Sequence, residues 1–397
     1  MSRQIHDVAV VGAGMVGAAL ALDLAARGFD VAMIESRAQP AWQREDDVDL
    51  RVVALAPSAQ AFFNRLDVWP TIAAARASAY ARMHVWDALA PGSLTFDAAD
   101  EGLAALGHIV ENKLIQATLW QAIERNAAIT LHCPAKVAST EVGSDARDNR
   151  RTLVLESGER IAARLVVAAD GGESALREIL GIATHDRDYA QRAIVAHVAT
   201  ERTHEATAWQ RFLAHATLAF LPLSDGRSSV VWSLPNAEAS RVLALDDDAF
   251  RAELAVAFDF RLGAITQTTA RASFPLRLRL AERYVAPRFA LVGDAAHVVH
   301  PLAGQGVNLG LRDAALLADV LASARDDKLD IAGESTLRRY ERRRRSDNAL
   351  SAYAFDAIQR GFGSDSNLLA VVRGFGLAAV DRAGPLKRLF ARHAAGA

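Results

Sequence analysis

The chain has 397 residues, 51% of them hydrophobic and 23% charged, and its formal net charge is −2. Those proportions suit a soluble globular chain long enough for two cores, and the near-neutral balance excludes a general polyanion-binding role, nucleic acid included. A single cysteine, Cys133, excludes an intrachain disulfide and a dithiol redox pair and fits a reducing compartment.

Asp7 to Val11 is an apolar run of strand length, followed by Gly12-Ala13-Gly14-Met15-Val16-Gly17. A helical pattern through Leu20, Leu22, Leu24 and Ala25 stops at Gly28, and a second strand, Val31 to Ile34, ends at Glu35 and Ser36. Strand, GxGxxG, helix, strand and acidic residue form a dinucleotide-binding unit. In it Gly12 permits the tight turn, Gly14 lets backbone approach a pyrophosphate, and Gly17 lets helix and strand pack closely. Glu35 falls where a carboxylate meets the adenosine ribose hydroxyls, and it would repel a 2′-phosphate. The unit alone does not separate FAD from NAD. The first residues lack the basic start, long apolar segment and cleavage site of a secretion signal, and no run reaches the roughly 18 apolar residues that span a bilayer. A cytoplasmic protein is therefore expected.

Residues 42 to 50 are polar and charged before Arg51-Val52-Val53-Ala54-Leu55, where Arg51 reads either as a ligand arginine or as a surface ion-pair residue. Residues 78 to 97 alternate like strands of a different sheet. Asn112 to Ile123 reads as a helix, with Leu114, Ile115, Leu119 and Ile123 on one face. Ile129 to Val137 and Arg151 to Leu155 read as strands around a polar hairpin tip. His132 and Cys133 lack a second ligand pair and read as ordinary strand residues, so no metal site is expected.

Arg164 to Ala169 is a buried, parallel-type strand that ends in Asp170-Gly171 and runs into a helix start. A plain turn with Asp170 or Ser174 as N-cap would look the same. From Arg192 to Phe274 alternating strands (194–198, 209–212, 218–221, 230–234), with a helical interval at 248–258, predict an antiparallel sheet in a second domain. Phe289 to Val292 is another buried strand, ending at Gly293-Asp294. A Pro/Gly-rich turn follows, then a helix through Leu311, Ala315 and Val320. A strand-end carboxylate accepts hydrogen bonds from a polyol, and a glycine-flanked helix start presents free N–H groups to an anion. A reduced flavin offers both features in one ligand. The chain from Leu337 is helical, and Arg338 to Arg345, its one strong charge run, reads as a solvated face. Residues 368–390 mix apolar and basic positions in two short helices broken at Gly384-Pro385. They read as a structural cap or as a basic amphipathic surface for an anionic membrane or a partner.

Taken together, the GxGxxG with Glu35, the Asp170-Gly171 pair and the Gly293-Asp294 pair stand in order over the full length. The chain resembles the single-component FAD-dependent aromatic hydroxylases of the p-hydroxybenzoate hydroxylase fold. Within them it is most similar to the ubiquinone-biosynthesis hydroxylases, the UbiH/UbiF/VisC group. The string from Gly293 to Leu311, Arg51 to Leu55, Trp209-Gln210-Arg211-Phe212, Pro275-Leu276 and Arg373 to Leu377 carry that closer likeness. Gly172-Glu173 replaces the more usual Ala-Asn of the second motif.

The resemblance implies an α/β fold: a Rossmann-like FAD-binding domain (1–77, 100–185, 280–345), an antiparallel-sheet substrate domain (78–99, 186–279) and a C-terminal helical segment (346–397). It implies that Gly12, Ala13, Gly14, Met15, Val16 and Gly17 hold the FAD pyrophosphate, and that Glu35 and Ser36 hold the adenosine ribose beside the backbone of Val137. Arg51 is expected at the pyrophosphate or flavin edge, Asn112 and Asp294 at the ribityl chain, and Asp170 and Gly293 in the supporting motifs. Pro301, Gly304, Gln305, Gly306, Val307 and Asn308 would run along the pyrimidine side of the ring, where the helix start stabilises the anionic reduced flavin. His300 and Pro301 would lie at the flavin–substrate junction, His300 either polarising a phenol or serving only as a loop residue.

The implied reaction uses NAD(P)H, bound transiently, and O2 to hydroxylate an aromatic, prenylated phenol through a flavin C4a-hydroperoxide, in ubiquinone biosynthesis and within reach of a biosynthetic complex or the inner-membrane surface. Two other readings compete: a different flavoprotein oxidoreductase of the same fold (small-phenol hydroxylase, oxidase, reductase or halogenase), and a non-catalytic FAD-binding scaffold. No Trp-rich cluster of the halogenase kind is present.

Overall fold

The structure, a computed structural model, describes residues 5–39, 41–89, 92–143, 149–299 and 305–362. Its first layer is an eight-stranded sheet in which Phe289–Leu291, Arg160–Ala168, Ile5–Val11, Val31–Ile34 and Ile129–His132 lie side by side. These strands run parallel, in a register that sets Val10 opposite both Met33 and Val167, and Val167 opposite Ala290. Within them, residues 8–11, 31–34, 165–168 and 289–291 are continuous apolar runs because helices cover them, and a strand buried on both faces needs no polar alternation. Parallel strands share a polarity, so their carboxyl ends deliver Gly12, Glu35, Asp170 and Gly293-Asp294 to one edge of the sheet.

The helix Met15–Ala26 leaves that edge with Gly17 to Ala25 all buried. It packs against Asn112–Glu124 on one side and Gln305–Asp326 on the other, which is why apolar residues surround it instead of forming a stripe. The hairpin Val137–Val142 and Arg151–Leu155 extends the sheet by antiparallel pairing. The expected strand 129–137 is interrupted at Cys133-Pro134. Pro134 has no N–H to donate to a ladder, so pairing resumes only at Val137.

A second sheet of nine strands carries Ala272–Ala281, Thr184–Thr200, Ser228–Pro235, Ala216–Pro222, Thr207–Leu213, Arg82–Asp87 and Ser93–Asp97 in that order. All but one of its pairings are antiparallel. The exception sets Thr207–Leu213 parallel to Arg82–Asp87, with Gln210 opposite Val85, because the earlier segment enters the sheet as a distant insertion and not through a hairpin. The segment 78–97 is also divided. Ser78–Tyr80 joins a small sheet with Gly107–Glu111 and Val52–Leu55, and only Arg82 onward joins the large one.

One face of the large sheet (Ile194, Ala196, Val198, Leu218, Phe220, Val230, Trp232) packs on Phe250 and Leu254 of Asp247–Ala257 and on Phe258, which follows that helix. The other face looks toward the first layer. The last described helix, Glu334–Phe362, contains the arginine run, but Arg344 within it is 4% exposed while Arg342, Arg343 and Arg345 face solvent. One turn of that run therefore points inward, against the expectation of a wholly solvated face. His300, Pro301 and Gly304, and the C-terminal residues 363–397, lie outside the described residues.

Candidate functional site

Three cavities of about 530, 360 and 280 Å³ share lining residues and so run into one another as a single channel along the carboxyl edge of the parallel sheet. The first is lined by Gly12, Ala13, Gly14, Glu35, Ser36, Val137 and Asp170. Gly14, Met15, Val16, Arg51, Asn112, Asp294 and Val307 line the second. The third passes from Met15, Arg51, Asn112, Asp294, Gly306 and Val307 to the inner face of the large sheet. Residues separated by almost 300 positions thus meet because parallel strands and one crossing helix bring their ends together.

The glycines of the first loop differ in their surroundings. Gly12 has φ +104°, and a Cβ there would stand 2.4 Å from the Ala169 carbonyl oxygen. At Gly17 a Cβ would meet the Gly12 carbonyl oxygen at 2.0 Å, whereas at Gly14 nothing lies within 4 Å. Gly12 and Gly17 are thus closed against protein, and Gly14 opens on the channel. Glu35 folds back over the same loop: its carboxylate accepts the Ala13 N–H at 2.6 Å and the Arg37 N–H at 2.9 Å.

Two residues that line the channel, Asn112 and Asp170, each carry a buried Oδ1 that accepts no hydrogen bond among the described residues. The other Asp170 oxygen accepts from Leu176 N–H at 3.2 Å, and burial holds its carboxyl above the usual range against the pull of Ser174 and Leu176. Asp294 faces the channel and is accessible from it, yet protein surrounds it densely. Burial raises its pKa, opposed by the nearby charges of His297 and Arg51.

Behind Asp294 the protein is charged and dry. Asp313 is 0% exposed and lies 2.6 Å from His297 Nε2 and 2.6 Å from Arg344 Nε. Burial alone would raise its pKa, but His297 and Arg344 outweigh it and bring the carboxyl down to about 2. Arg177, also buried, ties the second motif to the third by donating to the Gly172 and Ala295 carbonyl oxygens, each at 2.9 Å.

The far wall of the third cavity is the inner face of the large sheet. Cross-strand register lines up Val195, Val231, Ala219 and Gln210 in one row, and Ser233 and Thr217 in the next. Ser229 and Leu221 form a third row with His197. Apart from these uncharged polar groups the wall is aliphatic and aromatic, and its described sheet residues carry no charge. Ser229 Oγ and both His197 ring nitrogens are buried without partners among the described residues. Burial presses the His197 pKa down to about 4, so the ring is neutral at pH 7.

Among the expected site residues, Gly17, Gly293 and Asn308 do not line the channel. Asn308, 1% exposed, spends its amide on protein, accepting from Ala56 N–H at 2.9 Å and donating to the Ala54 carbonyl at 2.8 Å. Conversely, Lys113, Gln116 and Trp120 line the channel and were not expected there. Asn112, Gln116 and Trp120 are spaced i, i+4, i+8, so the signal was a second face on a helix read only for its apolar one.

The channel fits FAD on these observations. An open glycine faces its middle, orphaned acceptors stand along it, a strand-end carboxylate sits at its turn, and the Arg51 guanidinium makes no ion pair among the described residues. The comparisons agree. The sequence profile of the family described as FAD binding domain matches residues 6–349. The 3-demethoxyubiquinol 3-hydroxylase of Escherichia coli (strain K12) is 39% identical over 396 residues, covering 100% of each chain. The human mitochondrial ubiquinone biosynthesis monooxygenase COQ6 is 32% identical, covering 96% of this chain and 91% of its own. Among solved structures, PqsL, a probable FAD-dependent monooxygenase from Pseudomonas aeruginosa, superposes with a TM-score of 0.77 at 23% identity, covering 95% of this chain and 100% of its own. The fold is thus that of the FAD-dependent aromatic hydroxylases. The chain belongs to the FAD binding domain family and, within it, to the FAD-dependent monooxygenases typified by the ubiquinone-biosynthesis hydroxylases. Among the described residues no helix is long and apolar enough to cross a membrane, and no group of His, Cys, Asp and Glu could hold a metal ion.

Proposed function

We propose that this protein hydroxylates the ring of a prenylated phenol or quinol in ubiquinone biosynthesis, using O2 and transiently bound NAD(P)H. The observation that carries the reading is the continuity of the channel, which leads from a dinucleotide-binding edge to an uncharged, mostly apolar cavity under a second sheet. When bound, FAD supplies the redox chemistry: it accepts a hydride from the nicotinamide and activates O2. The protein binds, orients and keeps water out.

In this reading Gly12 to Val16 hold the diphosphate, Gly17 and Gly293 supply the close packing behind it, and Glu35 and Ser36 take the adenosine ribose beside the Val137 backbone. Asn112 and Asp294 take ribityl hydroxyls, and Arg51 reaches the diphosphate or the flavin edge. Asp170 shapes the second motif. Backbone N–H groups at the start of the helix Gln305–Asp326, at Gly306 to Asn308, turn the positive end of its dipole toward the pyrimidine ring. Gly304 and Pro301 would continue that contact, and His300 with Pro301 would face the substrate. Gln210, Thr217, Ser229 and Ser233 orient the ring oxygens of a substrate, and the aliphatic wall excludes the water that would divert activated oxygen to H2O2. A neutral phenol suits a sheet wall without charge better than a benzoate does. The layer of the parallel sheet corresponds to the FAD-binding domain, and the large sheet to the substrate domain.

The test is product analysis. Purified protein should retain FAD, and NADH or NADPH oxidation should yield a ring-hydroxylated phenol with a short prenyl chain. Bound FAD with no hydroxylated product from any prenylated phenol would favour the scaffold reading, and the quinone precursor that accumulates in a deletion strain identifies the substrate. We further propose that residues 368–390 contact the inner membrane or a biosynthetic partner. Flotation with anionic vesicles, lost on deletion after Gly384, would support the membrane contact, whereas equal flotation of the truncated chain would count against it.

A further inference from the structure

The turn that carries Asp294 is held from behind by a charge cluster with no part in the proposed reaction. Asp313, in the third turn of the helix Gln305–Asp326, is fully buried. Its Oδ2 accepts two hydrogen bonds, from Gly293 N–H at 3.0 Å and from His297 Nε2 at 2.6 Å. Gly293 and His297 bracket Asp294, so a single oxygen fixes both ends of the five-residue turn 293–297. Between those ends the Ala295 carbonyl accepts from Arg177. Gly293 has φ +60°, a left-handed conformation that glycine adopts without steric cost. The backbone that carries Asp294 is therefore held on both sides.

The other oxygen, Oδ1, accepts from Arg344 Nε at 2.6 Å and Asn348 Nδ2 at 3.0 Å, both on the last helix. Arg344 also donates to the Leu309 carbonyl and to Asn348 Oδ1, and Tyr340 of the same helix donates its hydroxyl to the Leu291 carbonyl at 2.8 Å. The last helix therefore grips both the strand that leads into the turn and the helix that leaves it. A carboxylate with four donors in a dry site is held far more rigidly than a surface pair, and removing one member leaves the others buried and unmatched.

We propose that Asp313 is a positioning residue for FAD: one carboxylate oxygen sets where Asp294 meets the cofactor, and the other anchors that setting to the last helix. The inference rests on the reading of the channel as the FAD site. The experiment is a double-mutant cycle on FAD affinity, measured by flavin fluorescence on the full-length protein, with Asp313→Asn and Asp294→Asn singly and together. Asp313→Asn keeps the shape but can no longer present two accepting oxygens, and should weaken FAD binding by about tenfold or more. In the Asp294→Asn background the same change should cost less than about threefold, since the contact it positions is already lost. Equal losses in both backgrounds would show a general structural role and overturn the proposal, as would unchanged affinity in Asp313→Asn. If Asp313→Asn does not fold, His297 decides. His297→Gln, which keeps a donor toward Asp313, should retain FAD affinity within about threefold, and His297→Leu should lose about tenfold. Identical affinities for those two variants would overturn the proposal. A purified wild-type chain that takes up no FAD would defeat the underlying reading, whereas additivity with FAD bound defeats only this inference.

Discussion

Replacing Asn308 with alanine tests whether the two walls of the channel are joined by one side chain. Asn308 stands on the helix Gln305–Asp326 and bonds across more than 250 residues to the end of the strand Val52–Leu55. That strand follows Arg51, and Val52, Val53 and Ala54 line the cavity from one side while Gly306 and Val307 line it from the other. In Asn308→Ala the Ala56 N–H and the Ala54 carbonyl lose their partner in a region where Asn308 is 1% exposed. An unsatisfied buried backbone group costs about 1–3 kcal/mol, so the two together cost roughly 2–5 kcal/mol. A typical unfolding free energy is about 5–15 kcal/mol, so the variant should fold with much of its margin gone. Asn308→Asp should be no better, because it keeps the acceptor for Ala56 but turns a carboxylate oxygen toward the Ala54 carbonyl. Urea unfolding of both variants, with and without excess FAD, is the assay. Saturating FAD should restore part of the loss by mass action if the folded channel binds it. A loss below about 1 kcal/mol in Asn308→Ala, or wild-type stability in Asn308→Asp, would refute the clamp.

His197 predicts a pH effect whose sign follows from its depressed pKa of about 4, against an ordinary value of 6.5. Above pH 6.5 neither state binds the proton and the residue is silent. Between pH 6.5 and about 4 only the unfolded chain takes it up, so stability falls as the pH drops, by roughly 3 kcal/mol over the window. His197→Phe should flatten that part of the urea-stability curve, and an unchanged acid slope would mean that the ring is not buried neutral. The glycine loop predicts a separation of effects. Gly17→Ala drives a Cβ into backbone at 2.0 Å and should destabilise the apoprotein, whereas Gly14→Ala meets nothing within 4 Å and should leave apoprotein melting unchanged while weakening FAD. Equal melting of the two apoprotein variants would contradict the assignment of Gly17 to packing.

Most of the parallel layer was legible because residues 8–11, 31–34, 165–169 and 289–292 are unbroken apolar runs ending at a glycine or an acidic residue, which marks strand and motif together. The large sheet was also legible in outline, since Ile194–Val198, Leu218–Leu221 and Val230–Leu234 carry the alternation that its two unlike faces require. What escaped was non-local. Nothing in Ser78–Tyr80 says that it pairs with Gly107–Glu111 and not with its immediate neighbours, because that choice is made by the partner strand. The inward turn of Arg344 was hidden among neighbours of the same charge, and only Asp313, 31 positions earlier, gives it a reason to be buried. Lys113 and Gln116 carry no apolar signal, because on an amphipathic helix only the apolar face has a hydrophobic period to mark it. The helix at Asn236–Leu243 leaves no periodic trace in the sequence, since its eight residues offer only two buried apolar positions, Ala239 and Val242, too few to set a period.

The motif between Gly293 and Asp313 shows why a residue can be essential to a cofactor site without facing the cofactor channel. Asp294, Gly306 and Val307 face that channel. Gly310 does not: a Cβ there would stand 2.6 Å from the Val16 side chain and 3.1 Å from the Gly293 Cα, so its bare backbone is what lets this helix lie against the turn and against the first glycine loop. Asn308 spends its amide on the neighbouring wall, and Asp313 spends its charge on the turn behind Asp294. Within this one stretch of chain, some described positions shape the channel surface and others set the spacing between the three segments that form it. A substitution of the second kind leaves the channel chemistry intact and moves its parts. The two kinds are separated by measuring apoprotein stability beside cofactor affinity: surface positions alter affinity alone, and spacing positions alter both.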